Sequence, residues 1–221
     1  MTNYAAAALL ALGLAGSSLF NAPATAQSDQ SRTDGGKVTE MTAGWPKVAR
    51  KAADAMIKKY GSPSEATENM FVWYNNGPWK RTIVYKEEAD HEFPMPHKDV
   101  LEQFVAYEVP SDKFDELAAY DGSVIVERTK GEISARCDKE GANFLALNLA
   151  DDIVTGEKSV EEARQAYAEA IQAFMAGNPP DSMKGLTFNV NRDYSGDPGK
   201  TIIDNAATGA SSGESGSSSA R

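Results

Sequence analysis

Cysteine is almost absent from this chain: Cys137 is the only one in 221 residues. No internal disulfide can form, so the core alone must stabilise the fold even in an oxidising compartment. Positive charge is also short, with 22 Lys and Arg against 32 Asp and Glu and a formal net charge of -10. That balance argues against nucleic acid or an anionic membrane surface as a partner. Beyond the first residues, no run approaches the roughly twenty apolar residues that span a bilayer, so no transmembrane anchor is expected in the mature chain.

What the N-terminus does contain is a short apolar run, Ala5 to Phe20, followed by Ala24-Thr25-Ala26. An apolar run of this length before a small-x-small site predicts a signal peptide over residues 1–26 and a mature chain starting near Gln27. The first four residues lack Lys and Arg, so the terminal amine carries the positive charge there. No Cys follows the run, which excludes lipid attachment at that point, and a periplasmic or secreted product is expected. Residues 27–43 are polar and expected to be flexible, as is the tail, residues 191–221, whose end AATGASSGESGSSSAR is low in complexity. A single globular domain over residues 44–190 remains, large enough for a real core.

Within it, ANFLALNLADDIV at 142–154 spreads Phe144, Leu145, Leu147, Leu149, Ile153 and Val154 around most of a helical circumference, the pattern of an interior helix. The rest reads as cover. Residues 46–60 form an N-terminal helix with Val48, Ala52, Ala55 and Met56 on one face and Arg50, Lys51, Lys58 and Lys59 on the other. MFVWYNNGPWKRTIVY predicts a β-hairpin over 70–86 turning at Asn76-Gly77, and further strands fall near 100–109 and 123–129. Thr129 and Glu132 have capping-box spacing, which predicts a long helix from near Lys130. The competing pattern is a second hairpin around Lys130-Gly131, with the helix starting near Asp138. A second capping box, Ser159 with Glu162, opens a final helix over 160–177, and LTFNV at 186–190 reads as an edge strand. The expected class is α+β: a small antiparallel sheet against an N-terminal helix and a C-terminal antiparallel helical pair.

Candidate chemistry is sparse. His91 and His97 lie in the loop 86–99 with Asp90, Glu92 and Asp99 nearby, but Pro94 and Pro96 favour extended chain. At about 3.1 Å per residue the two imidazoles would stand up to about 19 Å apart, too far to share an ion bonded at about 2.1 Å. Neither a metal nor another cofactor is therefore expected. Cys137 reads as a small core residue, and GDPGKT at 196–201 lacks the first Gly and the following helix of a phosphate loop. Trp73, Trp79, Lys80 and Arg81 mix aromatic and cationic groups around the hairpin turn, the composition of a binding anchor. Asn148 and Asp152, polar residues on the apolar arc of the central helix, are expected to hold a neighbouring backbone or line a pocket, with solvent at the helix end as the alternative for Asp152.

The runs NNGPWKRTIVY, HEFPMPH and ERTKGEISARCDKEGANFLALNLADDIVTG resemble an uncharacterised family of exported bacterial proteins. The resemblance spans roughly Gly44 to Thr187 and implies no activity, cofactor or assigned residue. The expected function is an exported, non-enzymatic binding or interaction module that meets an unknown protein or small ligand through Trp73, Trp79, Lys80, Arg81, His91 and His97. The alternative is a hydrolase-like enzyme using His91 or His97 with a nearby carboxylate.

Overall fold

In a computed structural model, described for residues 40–190 and 196–203, six antiparallel strands form one sheet. The expected signal peptide, residues 27–39 and the low-complexity end lie outside the described residues. Helix α1 (Lys47–Tyr60) precedes β1 (Glu65–Ala66), β2 (Met70–Asn76), β3 (Trp79–His91) and β4 (His97–Ala106). Then come α2 (Phe114–Tyr120), β5 (Val124–Glu127), β6 (Glu132–Cys137), α3 (Glu140–Thr155) and α4 (Val160–Met175). The strand order is β1-β2-β3-β4-β6-β5, so every strand pairs with a hairpin neighbour except where β4 meets β6. Upstream of the expected domain start at Gly44, a helical turn buries Thr42.

The two-residue side-chain period of a strand sorts this sheet into two faces. Phe71, Trp73, Thr82, Val84, Leu101, Gln103, Val105, Ile133, Ala135 and Cys137 share the inner face under the helices. Tyr74, Arg81, Tyr85, Glu102, Phe104 and Ser134 share the outer face. There Arg81 stacks on Phe104 at 3.7 Å and Tyr85 and Ser134 donate to Glu102. The first hairpin turns at Gly77-Pro78 and not at Asn76-Gly77, because Asn76 pairs with Trp79 and Gly77 takes φ +63°, as the first turn position requires. Moving the turn by one residue displaces β3 against β2 by two, which keeps the alternation of faces up to Tyr74. Asn75 then adopts φ +52°, a conformation Asn tolerates, and beyond it Asn76 and Trp79 turn inward.

Residues 124–137 form the second hairpin, so the long helix from Lys130 is not present. Ile133, Ala135 and Cys137 alternate toward the core and pair with Val105, Gln103 and Leu101 of β4. Glu132 is not a helix cap but a buried carboxylate on the sheet, held by Lys80 and Arg81, each at 2.9 Å. Helix α3 is interior, as its composition implies, with Phe144, Leu145, Leu147 and Ile153 all buried. Each such side chain contributes about 1.5–3 kcal/mol. Asn143, though polar, is fully buried and donates to the Leu101 carbonyl and to Gln103, both at 3.0 Å. The α1 face is rotated from expectation: Ala49, Ala52, Ala53 and Met56 are buried, while Ala55 is exposed.

The Ser159–Glu162 capping box forms in full. Residues 186–190 are not a strand. Asn148 holds that segment instead, donating to the carbonyls of Ser182 (3.0 Å) and Gly185 (2.9 Å) and accepting from the Thr187 amide (2.8 Å). Asp152, its partner on the arc, reaches Lys158 at 2.7 Å. Because Asn148→Ala removes three hydrogen bonds to the partly buried segment 182–187, we expect a loss of about 1–3 kcal/mol in urea denaturation. Asp152→Ala should fall within about 1 kcal/mol of the parent, as a partly exposed ion pair does. Equal losses would show that the staple does not hold the segment.

Candidate functional site

The six candidates from the sequence fall in four separate places. Trp73 is buried and its Nε1 donates to the Gly61 carbonyl at 2.9 Å, closing the end of α1. Trp79 is fully buried, stacks on Phe144 with centroids 4.7 Å apart, and donates to Glu140 at 2.7 Å. Neither ring is a surface anchor. The break in alternation at Asn75 turns Trp79 into the core, which the strand period alone does not foresee. Lys80 and Arg81 are both bound to Glu132. The aromatic and cationic anchor expected at the hairpin tip is thus dismantled into core and ion pair.

His91 and His97, by contrast, come together. They are not in a loop: β3 runs through His91 and β4 starts at His97, and the two are cross-strand partners with ring centroids 4.8 Å apart. The separation expected from polyproline geometry fails because the chain reverses over residues 92–96, a turn that includes a cis Phe93–Pro94 peptide bond. The Phe93 ring anchors that turn against Tyr167 at 5.2 Å and lies under the Arg164 guanidinium at 3.8 Å. A second device moves His91. The β3–β4 register shifts between Val84 and Ala89, so that His91 changes faces and joins the inner positions His97 and Asp99.

Around Asp99, which is 2% exposed, the cluster is tight. His91 Nδ1 lies 3.2 Å from Asp99 Oδ2 and His97 Nε2 lies 3.1 Å from Asp99 Oδ1. Ser123 Oγ donates to Asp99 and lies 3.4 Å from His91 Nδ1. Asp121 Oδ1 accepts from the Ser123 amide at 2.8 Å and stands 3.6 Å from His91 Nε2. Of the carboxylates near the histidines in sequence, Asp99 alone enters the cluster; Asp90 binds Lys98 and Glu92 is exposed. Alternation of His97, Asp99, Leu101 and Gln103 is the signal that places Asp99 inward. Asp121 and Ser123 arrive from the α2–β5 connection with no local sign.

Burial alone would lower the His97 pKa, but the Asp99 carboxylate, the Cys137 thiol and the Met95 carbonyl raise it to about 11. For Asp99, burial opposes ionisation, yet the adjacent His97 ring, the Ser123 hydroxyl and the charge of the histidines hold its pKa below the usual range. Asp121 moves the other way, pushed up chiefly by burial. Cys137 is buried on β6 beside His97, and burial pushes its thiol pKa up. It is a core thiol, as expected, and not a thiolate nucleophile. Ser123, His91 and Asp121 have the order of a nucleophile, base and carboxylate, but the Ser123 hydroxyl gives its proton to Asp99 and the residue is 7% exposed. That serine is committed to holding Asp99.

Beside the cluster lies a cavity of about 270 Å³ whose wall includes His97, Cys137, Ala142, Tyr167 and Ile171. Its rim carries Met95, Phe174 and Met175, which are among the few large apolar side chains exposed on the described surface. Trp79, Arg81 and Ser123 do not line it. Residues 196–200 adopt no helix, and Asp197 binds the Arg128 side chain at 2.6 Å. No protein family, curated protein or solved structure matches this chain.

His97 gains its proton affinity on folding, so its contribution is fully present below pH 6.5 and is lost as pH rises toward about 11. In chelator-treated protein, the melting temperature of the parent should fall across that window more steeply than that of His97→Gln. Parallel profiles would refute the assignment.

Proposed function

We propose that the chain is an exported, non-enzymatic binding module of the bacterial envelope, and that its ligand is a small, largely apolar molecule taken into the cavity between the β3–β4 turn and α3–α4. The observation that carries this reading is the convergence of exposed Met95, Phe174 and Met175 on a single cavity floored by Tyr167 and Ala142. Exposed apolar side chains scattered singly need no explanation, whereas a rim of them around a concavity marks a binding surface. Methionine adapts its shape to a guest at little expense. Ligand pockets typically run from about 300 to 1,000 Å³, so a cavity of about 270 Å³ suits a small guest. Export rests on the apolar run and the Ala24-Thr25-Ala26 site.

The hydrolase-like alternative has its histidines and carboxylate side by side, but the hydroxyl within reach of His91 is buried and already donates to Asp99. It has no accessible nucleophile to recommend it. The binding reading is tested with anilinonaphthalene sulfonate, whose fluorescence rises on entering an apolar site. One saturable site is expected on the folded protein. Ile171→Trp, which fills the cavity from its partly exposed wall, should weaken the dye by about tenfold, or 1.4 kcal/mol, while preserving the circular dichroism spectrum. Undiminished binding by the folded variant, or no saturable binding by the parent, would remove this reading.

A further inference from the structure

We infer that His91, His97 and Asp99 form a site for one divalent first-row transition-metal ion of the zinc type. Among the described residues, these three present ligand atoms that all lie within 4.8 Å of one another. The Asp99 carboxylate faces both rings, with Oδ2 3.2 Å from His91 Nδ1 and Oδ1 3.1 Å from His97 Nε2. Ligands bonded to zinc at about 2.0–2.1 Å in a tetrahedral arrangement stand about 3.3 Å apart, so closing the widest pair takes a shift of about 1.5 Å at most.

The far side of each ring favours the same conclusion. His97 Nδ1 donates to the Met95 carbonyl at 2.8 Å, so Nδ1 keeps its hydrogen and Nε2, facing Asp99, is the nitrogen whose proton a metal ion would displace. His91 Nε2 faces the Asp121 carboxylate at 3.6 Å, leaving Nδ1 toward the same point. An outer carbonyl or carboxylate that takes the remote N–H is how metal-bound histidines are oriented and made more basic. Asp99 is supported likewise by the Ser123 hydroxyl.

Counting donors separates a metal site from a buried ion pair. His97 Nε2 and Asp99 Oδ1 face each other 3.1 Å apart, yet neither has an aligned hydrogen bond, and both atoms are buried. Asp99 is 98% buried as a residue. Buried polar atoms left unpaired in this way call for an unseen partner. A cation between them satisfies both acceptors and His91 Nδ1 together. Two imidazoles and one carboxylate suit zinc and its neighbours, whereas calcium and magnesium require oxygen ligands throughout. Three protein ligands also leave a coordination position open for water or another donor.

The site does not rest on the cavity reading. Untagged full-length protein, stripped with a chelator and dialysed, is titrated with zinc chloride by calorimetry, with magnesium and calcium chloride as controls. One equivalent of zinc is expected, with a rise in melting temperature. Binding should weaken by about tenfold or more in each of His91→Gln, His97→Gln and Asp99→Asn, as loss of a ligand implies. Should a variant fail to fold, the parent still decides. With only two histidines in the chain, both imidazole nitrogen resonances must shift at one equivalent. Folded protein that takes up no zinc, leaves either histidine unshifted, or binds equally well in the folded variants overturns the site. Ile171→Trp should leave zinc uptake unchanged, so loss of dye binding and loss of metal binding are separable.

Discussion

One carboxylate holds the two halves of this fold together. Glu140, the first residue of α3, accepts hydrogen bonds from Lys59 and Tyr60 at the end of α1, from Trp79 beside the first turn, and from Gln103 of β4. An ionised carboxylate withdrawn from water costs several kcal/mol unless its lone pairs are filled. Here burial opposes the charge, but Lys59, Tyr60 and Trp79 outweigh it and lower the Glu140 pKa. The N-terminal end of α3 adds its own positive dipole. The same contacts extend inward as a polar row: Gln103 reaches Thr82, Thr82 accepts from Asn76, and Asn143 donates to Gln103. On β4 this row separates Leu101, which belongs to the apolar cluster under α1, from Val105, which belongs to the cluster around α3. The two oily halves meet at a line of hydrogen-bonded polar side chains. Such a line tolerates little sliding, because any shift leaves a buried donor or acceptor unmatched.

Much of the architecture is legible in the sequence because it follows from single-segment patterns. An interior helix declares itself when Phe144, Leu145, Leu147 and Ile153 leave no polar face, and the Ser159–Glu162 box marks the start of α4. The errors cluster where local signals compete or where partners are distant. Thr129 and Glu132 satisfy the spacing of a helix cap, yet Ile133, Ala135 and Cys137 also alternate as a strand, and pairing with β4 decides the matter. Asn143 is polar and reads as solvent-facing, but its partners Leu101 and Gln103 lie about forty residues away and no local pattern announces them. Buried polar networks are specified by geometry in three dimensions, and hydropathy is blind to them.

The candidate centre shows the same limit in sharper form. Strand periodicity, carried unbroken from Val84, would leave His91 on the open face with Arg81 and Ile83. The register shift between Val84 and Ala89 reverses that assignment and gives His91 the company of His97 and Asp99. Bulges of this kind re-aim side chains and are commonly found beside functional groups. Proline content, taken alone, favours an extended spacer, whereas Phe93 ties the turn to Tyr167 and Arg164 and keeps the two strands in register to their ends.

The sheet also tapers, from the long central pair β3 and β4 to β1 with two residues and β5 with four. Unpaired edges are where a foreign strand adds itself, in orderly recognition or in aggregation. Among the described residues, β1 and β5 offer an incoming strand only a few rungs, so recognition at those two ends of the sheet falls to side chains.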